Sequence, residues 1–497
     1  MTDWHKKATE IKNNLQPVQL FINGVFQNAT NNEFFNLTSP IDGTILTQAA
    51  LAQEEDVNLA VTAARNNFNA GTWANLAPSA RKNILLKWAD VLEQHAEELA
   101  LLETLEVGKP IYYSYNGDIK ASINCLRWNA EAIDKIYGEV APTGKNDLVT
   151  ITRDPLGVVA VVVPWNFPLL MAMWKIAPAL AMGNSVILKP SENSSLSARK
   201  LAELSLQVGL PAGTFNLVTG TGETVGKTLG LHNNIDGVFF TGSTRVGKYF
   251  MQYAGQSNLK KISLECGGKS GNIILNSCKD LKKAAYTSAD AIFFNQGEMC
   301  SAGSKLIVQK ESLPEVLKHL TEKAKEYTPK DPLDINSRMG AIINETQHNK
   351  ILHYIELGKQ EGADLILGGQ KLNQDGYWIE PTIFTNVKSN MKIAQDEIFG
   401  PVLSIITVND KDEAIEVAND SIYGLAAAVW SDDVNELFYV ADRLRAGSIY
   451  MNCYDSDFDM SVPFGGYKQS GIGRDKSLHA LEKYSEITAR WLKLDRA

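Results

Sequence analysis

The chain has few cysteines and none of the spacings that build metal or disulfide frameworks. Its five cysteines are scattered over 497 residues and form no CxxC pair, which predicts free thiols in a reducing compartment and no metal site. The chain also lacks an excess of basic residues. Its net charge of −9 argues against nucleic acid or an anionic membrane as a partner.

No uninterrupted apolar run is long enough to cross a membrane. The longest candidate, residues 158–188, is interrupted by prolines, asparagines and a lysine, whereas a spanning helix needs about 20 mostly apolar residues. The first residues are polar and contain no apolar core of a secretion signal. These absences together predict a cytoplasmic protein.

What the chain does have, from about residue 157, is an alternation of short β-branched runs and helical stretches. Continuous apolar strands separated by amphipathic helices predict a parallel sheet covered on both faces. The predicted strands of this first series are Val158–Val163, Ser185–Leu188, Phe215–Val218, Val238–Phe240 and Ile262–Leu264.

A second α/β series follows, so a chain of this length is expected to form two or three domains. Its predicted strands are Asn272–Leu275, Leu306–Gln309, Val402–Thr407, Ala426–Trp430 and Ser448–Met451. The segments Gly138–Thr152 and Glu482–Leu494 are extended in character and fit neither series. We expect them to pair in a small protruding sheet, whose exposed edge favours association of subunits.

Polar or glycine residues follow every strand of the first series. Ligands of an open parallel sheet bind beyond the carboxyl ends of its strands, so these residues predict a ligand site at that edge. They are Asn166 after the first strand, Lys189 and Glu192 after the second, Gly220 and Gly222 after the third, Thr241, Gly242 and Ser243 after the fourth, and Glu265 after the last.

The glycine motifs are individually ambiguous. Residues 220–226 read GxGxxxG, one residue longer than the dinucleotide fingerprint GxGxxG. Residues 242–248 have the spacing of a phosphate-binding P-loop, but Tyr249 stands where such a loop needs Ser or Thr to hold magnesium. For both motifs a tight turn remains an alternative. Ser243 is more specific, because it opens a helix whose free N–H groups favour a phosphate.

The stretch Asn295–Gly303 places Cys300 among small and glycine residues, directly after a helical apolar segment. A nucleophilic cysteine needs room around its sulfur. A cysteine in an intracellular protein is nevertheless often a small core residue, so the stretch alone leaves both interpretations open.

Seven motifs, in this order along the chain, together resemble the NAD(P)-dependent aldehyde dehydrogenase superfamily. They cover about Phe21 to the C-terminus. The motifs are Pro164-Trp-Asn-Phe-Pro, Lys189-Pro-Ser-Glu, Phe240-Thr-Gly-Ser-Thr, Leu264-Glu-Cys-Gly-Gly-Lys, Asn295-Gln-Gly-Glu-Met-Cys, Glu397-Ile-Phe-Gly-Pro and Pro463-Phe-Gly-Gly-Tyr-Lys.

The resemblance implies an oxidation of an aldehyde to a carboxylic acid through a thiohemiacetal and a thioester on Cys300. It makes Glu265 the general base and Asn166 the amide that stabilises the oxyanion. Because the Glu192 carboxylate would repel a 2′-phosphate, NAD is favoured over NADP, although NADP stays possible. The implied cofactor contacts are Val163, Trp165, Lys189, Glu192, Gly222, Gly242, Ser243, Gly247, Glu397 and Phe399.

The resemblance also implies an α/β fold with three parts and a homodimer or homotetramer. A Rossmann-like cofactor domain would comprise residues 1–137 and 157–267, and an α/β catalytic domain residues 268–480. A small β segment for bridging and oligomerisation would comprise residues 138–156 and 481–497. Cys266 stands where many relatives have leucine, and it is either inert packing or a redox-sensitive neighbour of the base.

The substrate is expected to be a cationic aminoaldehyde. Asp455, Asp457 and Asp459 lie in one acidic loop before the Pro-Phe-Gly-Gly motif, although a solvated loop is an equal alternative. The run Gly473-Arg-Asp-Lys-Ser resembles the γ-glutamyl-γ-aminobutyraldehyde dehydrogenases of bacterial putrescine breakdown. Trp174, Tyr454 and Phe464 are candidates to line the substrate tunnel, with core packing as the alternative.

Several rival functions remain open at this point. Within the superfamily these are oxidation of betaine aldehyde or aliphatic aldehydes, a CoA-acylating semialdehyde dehydrogenase, and a non-catalytic structural member. A CoA-acylating enzyme would make a general base dispensable, which Glu265 argues against. Outside the superfamily, a P-loop NTPase is disfavoured by Tyr249.

Overall fold

A computed structural model describes residues 2–455 and 459–495 of the chain. Its α-helices are Trp4–Asn14, Glu54–Ala70, Pro78–Gln94, Ala96–Val107, Ile111–Tyr113, Lys120–Ala132, Pro168–Ala181, Leu196–Ser205, Lys227–Leu231, Thr244–Gln256, Leu281–Phe293, Leu313–Ala324, Glu345–Gln360, Lys392–Gln395, Lys411–Asn419, Val434–Ala441 and Ser477–Glu482. The strands form two large sheets and two small ones.

The first large sheet has the parallel core that the first strand series predicts. Its strands lie in the order Gly471–Ile472, Lys261–Glu265, Gly237–Thr241, Val158–Val162, Ser185–Lys189, Phe215–Leu217, Leu20–Ile22 and Val25–Gln27. The five central strands are parallel. The strand order reverses between Val158–Val162 and Gly237–Thr241, and this switch point is where a ligand binds in such sheets.

Antiparallel strands that the sequence patterns did not indicate extend this sheet at both edges. The hairpin of Leu20–Ile22 and Val25–Gln27 joins one edge, and Gly471–Ile472 pairs with Leu264 and Glu265 at the other. Residues 471–474 contain two glycines, a composition typical of a turn. A strand of two residues has too few side chains to produce a period-two pattern, so only the pairing reveals it.

The second large sheet contains all five strands of the second predicted series and two more. Its order is Asp364–Leu367, Thr382–Thr385, Val402–Val408, Lys305–Gln309, Gly271–Ile274, Ala426–Trp430 and Ser448–Met451. All neighbours are parallel except the first pair. Two strands of this sheet begin at Gly271 and Lys305, shortly after Gly268 and Cys300 in the chain. The Cys300 loop therefore lies at the amino-terminal ends of these strands, between the two sheets.

The two extended segments pair as expected. Strand Ser485–Lys493 runs antiparallel to Asp147–Pro155, in a register from Ser485 opposite Pro155 to Lys493 opposite Asp147. The short strand Glu139–Val140 completes a three-stranded sheet. A separate two-stranded sheet consists of Phe34–Thr38 and Ile45–Ala50.

Apolar packing explains the central elements. Strand Val158–Val162 is buried throughout because helices cover both faces of its sheet, and helix Pro168–Ala181 has every residue buried. This helix therefore holds Trp174 and Lys175 in fixed positions, and Lys175 pairs with Asp475. No helix of the described residues is long and apolar enough to span a bilayer, and those residues contain no cluster of metal-binding side chains.

Candidate active site

A cavity of about 630 Å³ opens between the carboxyl edge of the first sheet and the amino edge of the second. This volume lies in the usual range of small-molecule and cofactor sites. Cys300 and Asn166 lie in its wall together with residues of both halves. On the side of the first sheet these are Trp165, Thr241, Gly242 and Ser243, joined by Glu397 and Phe399. On the other side they are Trp174, Phe464, Asp455, Asp459 and Lys476.

An unusual backbone presents Cys300. The residues Asn295, Gln296 and Gly297, which follow helix Leu281–Phe293, all have left-handed φ angles of 49°, 57° and 70°. A side chain on Gly297 would collide with the Gly400 carbonyl, so the Asn-Gln-Gly and Phe-Gly-Pro motifs depend on each other. The buried side chains of Gln296 and Glu298 accept hydrogen bonds from backbone N–H groups and so anchor the loop.

The thiol of Cys300 is partly exposed into the cavity, yet its surroundings disfavour the thiolate. Burial, followed by the charges of Glu397, Glu265 and Asp455, raises the pKa of the Cys300 thiol above its usual value. The cysteine therefore rests as a neutral thiol and needs a base to become a nucleophile.

Asn166 is held through both its side chain and its backbone. Its side-chain amide nitrogen donates to the Glu298 backbone carbonyl at 2.8 Å. Lys109, fully buried and paired with Asp118, donates from Nζ to the backbone carbonyl of Asn166 at 2.9 Å and lies 3.7 Å from the centre of the Phe167 ring. Neither Lys109 nor Asp118 was singled out from the sequence, because only the fold brings them beneath Asn166.

Glu265 is buried just outside the cavity wall, against the glycine turn at residues 465–473. An added Cβ on Gly465 would lie 2.7 Å from Glu265 Oε1, and neither carboxyl oxygen has a hydrogen-bond partner among the described residues. Burial, and then the charge of Asp475, raise the pKa of Glu265 well above its usual value. Asp475 itself bonds Lys175 at 2.7 Å and Lys483 at 2.5 Å.

At the outer end of the first sheet, Glu192 links two other predicted cofactor residues. Its Oε1 atom accepts a hydrogen bond from the Gly222 N–H at 2.6 Å and lies 3.3 Å from Lys189 Nζ. The Val163 N–H donates to the Lys189 carbonyl at 3.1 Å and so extends the pairing of the two strands. This cluster lies beside the switch-point crevice rather than in the cavity wall.

The crevice itself has the features of a phosphate site. Ser243 caps helix Thr244–Gln256, where unpaired N–H groups and the helix dipole favour an anion. Thr241 Oγ1 is buried without a hydrogen-bond partner among the described residues. At Gly247 a Cβ would lie 2.9 Å from the sulfur of Cys266, so a larger residue would push this helix away from the sheet.

Glu397 and Phe399 line the same part of the cavity as Trp165, and Phe399 contacts the Trp165 ring. Glu397 accepts a hydrogen bond from the Gly268 N–H at 3.0 Å. The ring of Phe399, which has a left-handed φ of 60°, packs edge-on against Trp165 at 5.4 Å. The structure therefore brings these two motifs, more than 200 positions apart in the chain, to one wall.

The substrate candidates divide into three groups. Trp174 and Phe464 line the cavity, and the centres of their rings are 5.2 Å apart. Asp455 also lies in the cavity wall, and its carboxylate accepts hydrogen bonds from the hydroxyls of Ser301 at 3.0 Å and Tyr450 at 3.2 Å. Tyr454 lies elsewhere than expected. Its ring is buried behind the Cys300 loop, because its hydroxyl donates to the Ser301 carbonyl at 2.6 Å. Asp457 lies outside the described residues.

Lys476 is a cavity residue that the sequence reasoning missed. It follows Asp475 in the Gly-Arg-Asp-Lys run, which had been used only for resemblance. A lysine three positions after Gly473 has no sequence feature that predicts burial, so only the tertiary structure reveals its place in the cavity wall.

A Rossmann-like sheet, a crevice that favours phosphate and a partly exposed thiol in the adjoining cavity form an arrangement typical of dinucleotide-dependent oxidoreductases. The aldehyde dehydrogenase family model matches residues 26–489. The NADP/NAD-dependent aldehyde dehydrogenase PuuC of Escherichia coli is 48% identical over 96% of each chain. The chain therefore belongs to the aldehyde dehydrogenase family.

Two solved structures agree over nearly the whole chain. A γ-glutamyl-γ-aminobutyraldehyde dehydrogenase from Burkholderia cenocepacia superposes with a TM-score of 0.96 at 51% identity, covering 99% of both chains. An indole-3-acetaldehyde dehydrogenase in complex with NAD+ gives a TM-score of 0.97 at 49% identity, again covering 99% of both. These matches confirm the family and the fold that the motifs predicted.

Proposed function

We propose that this protein uses NAD to oxidise an aminoaldehyde to the corresponding carboxylic acid, with Cys300 as the nucleophile. The observation that carries the proposal is the cavity in which a dinucleotide crevice and an acidic, aromatic pocket meet at the Cys300 thiol. The names of the relatives, γ-glutamyl-γ-aminobutyraldehyde dehydrogenase among them, support this substrate class.

The crevice residues fit NAD. Glu192, held by Gly222 and Lys189, presents a carboxylate for two ribose hydroxyls and disfavours a 2′-phosphate. The helix beginning after Ser243 suits the pyrophosphate, and the free Thr241 hydroxyl offers a further donor. When bound, NAD would accept the hydride that the thiohemiacetal carbon loses as it becomes a thioester. The residues of this chain bind it, orient it and handle the protons.

In the first step the Cys300 thiol gives its proton to solvent water in the cavity, and its sulfur adds to the aldehyde carbon. The oxygen of the resulting thiohemiacetal carries negative charge. Asn166 donates one N–H to the Glu298 carbonyl, which leaves its other N–H for this oxyanion, and the Cys300 backbone N–H supplies a second donor. Losing one such donor typically costs about 3–4 kcal/mol of transition-state stabilisation.

Glu265 serves as the general base for hydrolysis of the thioester. Its raised pKa makes it a stronger base than an ordinary carboxylate, and its two oxygens have no competing hydrogen bond among the described residues. The carboxylate takes a proton from water as the water oxygen attacks the thioester carbon, and the Cys300 thiolate leaves. A CoA-acylating enzyme would not require this base.

A second candidate substrate is a neutral aromatic aldehyde. The aromatic rings of Trp174 and Phe464, which pack against each other at a tilt, favour it, as does the likeness to the indole-3-acetaldehyde dehydrogenase. Aminoaldehydes are preferred because the Asp455 carboxylate, which lies in the same wall, attracts a cation and gives an indole no partner.

The test is a comparison of kcat/KM with NAD for γ-aminobutyraldehyde, γ-glutamyl-γ-aminobutyraldehyde, indole-3-acetaldehyde, betaine aldehyde and hexanal. We expect the aminoaldehydes to rank first, and a higher value for indole-3-acetaldehyde or hexanal would refute the substrate class. Cys300→Ala should abolish NAD reduction. Cys453→Ala is the matched control, because Cys453 is also a partly exposed free thiol but does not line the cavity.

We further propose that the protein is a homodimer or homotetramer assembled through its small sheet. We also propose that the predicted oligomerisation segment, residues 138–156 and 481–497, is a unit separate from the two α/β domains. Strand Ser485–Lys493 exposes Ile487, Trp491 and Leu492 on the sheet edge, which supports the proposal. Trp491→Asp should shift the mass measured by light scattering towards the monomer. The remaining domain limits and the cytoplasmic location stay predictions.

A further inference from the structure

We propose that Lys476 binds a carboxylate of the substrate, so that the preferred aldehyde carries an amino-acid head group with both an ammonium and a carboxylate. This inference rests on the proposed aminoaldehyde function and specifies which members of that class fit the cavity. It assigns a role to a residue that the catalytic steps do not use.

The Lys476 side chain is largely buried in the cavity wall, and no carboxylate of the described residues forms a salt bridge with its ammonium. The residue is only 7% exposed, and its Nζ lies 5.6 Å from the centre of the Trp174 ring in the cavity wall. Within residues 2–455 and 459–495, Asp455 and Asp459 act on it through their charge without a hydrogen bond. Lys175, by contrast, pairs directly with Asp475 at 2.7 Å. A buried ammonium without a partner is costly unless a ligand completes it.

The two nearby carboxylates are already held by other donors. Asp459 accepts hydrogen bonds from the N–H and the hydroxyl of Ser461, both at 2.8 Å. Asp455 accepts from the hydroxyls of Ser301 and Tyr450. These bonds fix the carboxylates in the wall beside Lys476 and leave the ammonium available to a ligand.

The backbone at Lys476 is strained and firmly held. Lys476 and Ser477 have left-handed φ angles of 61° and 56°, a conformation that costs a residue with a side chain roughly 1–2 kcal/mol. The Ser477 N–H donates to the Met460 carbonyl at 2.7 Å, and Asp475 and Phe464 exchange backbone hydrogen bonds at 2.7 and 2.8 Å. Such strain concentrates at binding and catalytic sites, where the surrounding structure maintains it.

The cavity therefore presents both charges to its substrate. A simple aminoaldehyde offers only an ammonium, which Asp455 and Asp459 attract but Lys476 repels. An aldehyde joined to an α-amino acid, such as a γ-glutamyl amide, offers an ammonium to the carboxylates and a carboxylate to Lys476. Complementary charges of this kind determine which ligand is chosen.

The test compares Lys476→Met with the unmodified enzyme on γ-glutamyl-γ-aminobutyraldehyde and on γ-aminobutyraldehyde, which lacks the carboxylate. A hydrogen bond to a charged group is worth about tenfold to hundredfold in affinity, so kcat/KM for the γ-glutamyl substrate should fall by about that factor, mainly through KM. Removing a cation from the wall should raise kcat/KM for γ-aminobutyraldehyde. Lys476→Arg should retain most of the preference.

Lys330→Met is the charge-matched control, because Lys330 is exposed and lies outside the cavity wall. An equal loss on both substrates would overturn the proposal, since it would show that Lys476 only positions the loop around Asp455. Unchanged kinetics on both would also overturn it. If the unmodified enzyme oxidises neither aminoaldehyde but accepts hexanal, the proposed function itself fails, which is a distinct result.

Discussion

Replacing Gly268 by alanine should displace the nucleophile without removing any reacting group. An added Cβ would lie 2.5 Å from the carbonyl oxygen of Cys300, whereas ordinary contacts begin at 3.4 Å. The φ angle of Gly268 is not left-handed, so alanine brings no backbone strain of its own. The Cys300 loop therefore has to move by nearly an ångström.

The size of the effect follows from that displacement. A misplacement of about 1 Å can cost about 100-fold in rate, and overpacking a filled site typically costs about 1–3 kcal/mol of stability. We expect kcat/KM for the best aldehyde to fall by one to two orders of magnitude, with KM for NAD less affected. The measurements are initial rates of NAD reduction and thermal unfolding.

Gly255→Ala is the matched control. Gly255 lies in helix Thr244–Gln256, its φ is likewise not left-handed, and a Cβ there meets nothing within 4 Å. Alanine should stabilise that helix slightly and leave activity unchanged. If Gly268→Ala keeps the activity and stability of Gly255→Ala, the packing of Gly268 against Cys300 does not position the thiol, and the reasoning is wrong.

Three further predictions concern the bases, the buried ion pair and the cofactor. Activity should rise with pH above neutrality, because Cys300 and Glu265 both react in their deprotonated forms and burial raises the pKa of each. The Glu265→Gln variant should retain a burst of NADH from the acylation step but show little steady-state turnover. Full steady-state turnover would contradict the role of Glu265. Lys109→Met should destabilise the fold by about 3–5 kcal/mol in thermal or denaturant unfolding, because it leaves Asp118 buried without its cation. Adding Asp118→Asn should restore the stability. It should not restore kcat, which depends on the hydrogen bond from Lys109 that holds Asn166. Glu192→Ala should raise KM for NAD and lower KM for NADP, because it removes both the ribose acceptor and the repulsion of a 2′-phosphate, and an unchanged ratio would contradict that assignment.

Much of the fold could be predicted because its strands are continuous apolar runs. Val158–Val162 and Ala426–Trp430 are buried along their whole length, and such runs are visible without any knowledge of their partners. The pairing of the segments Gly138–Thr152 and Glu482–Leu494 was also predicted, and the observed strands Asp147–Pro155 and Ser485–Lys493 form it. The short strands were missed because two or three residues, as in Leu20–Ile22 and Gly471–Ile472, carry no periodicity.

The sequence by itself determined the family, the strand series and the residue types that the chemistry requires. These follow from local patterns and from the order of motifs, which do not depend on contacts. The tertiary structure decided which side chains share a cavity. It placed Tyr454 behind the Cys300 loop and Lys109 beneath Asn166, and it placed Lys476 in the wall of the substrate cavity. Burial and hydrogen-bond partners depend on segments hundreds of residues apart, so no local pattern contains them.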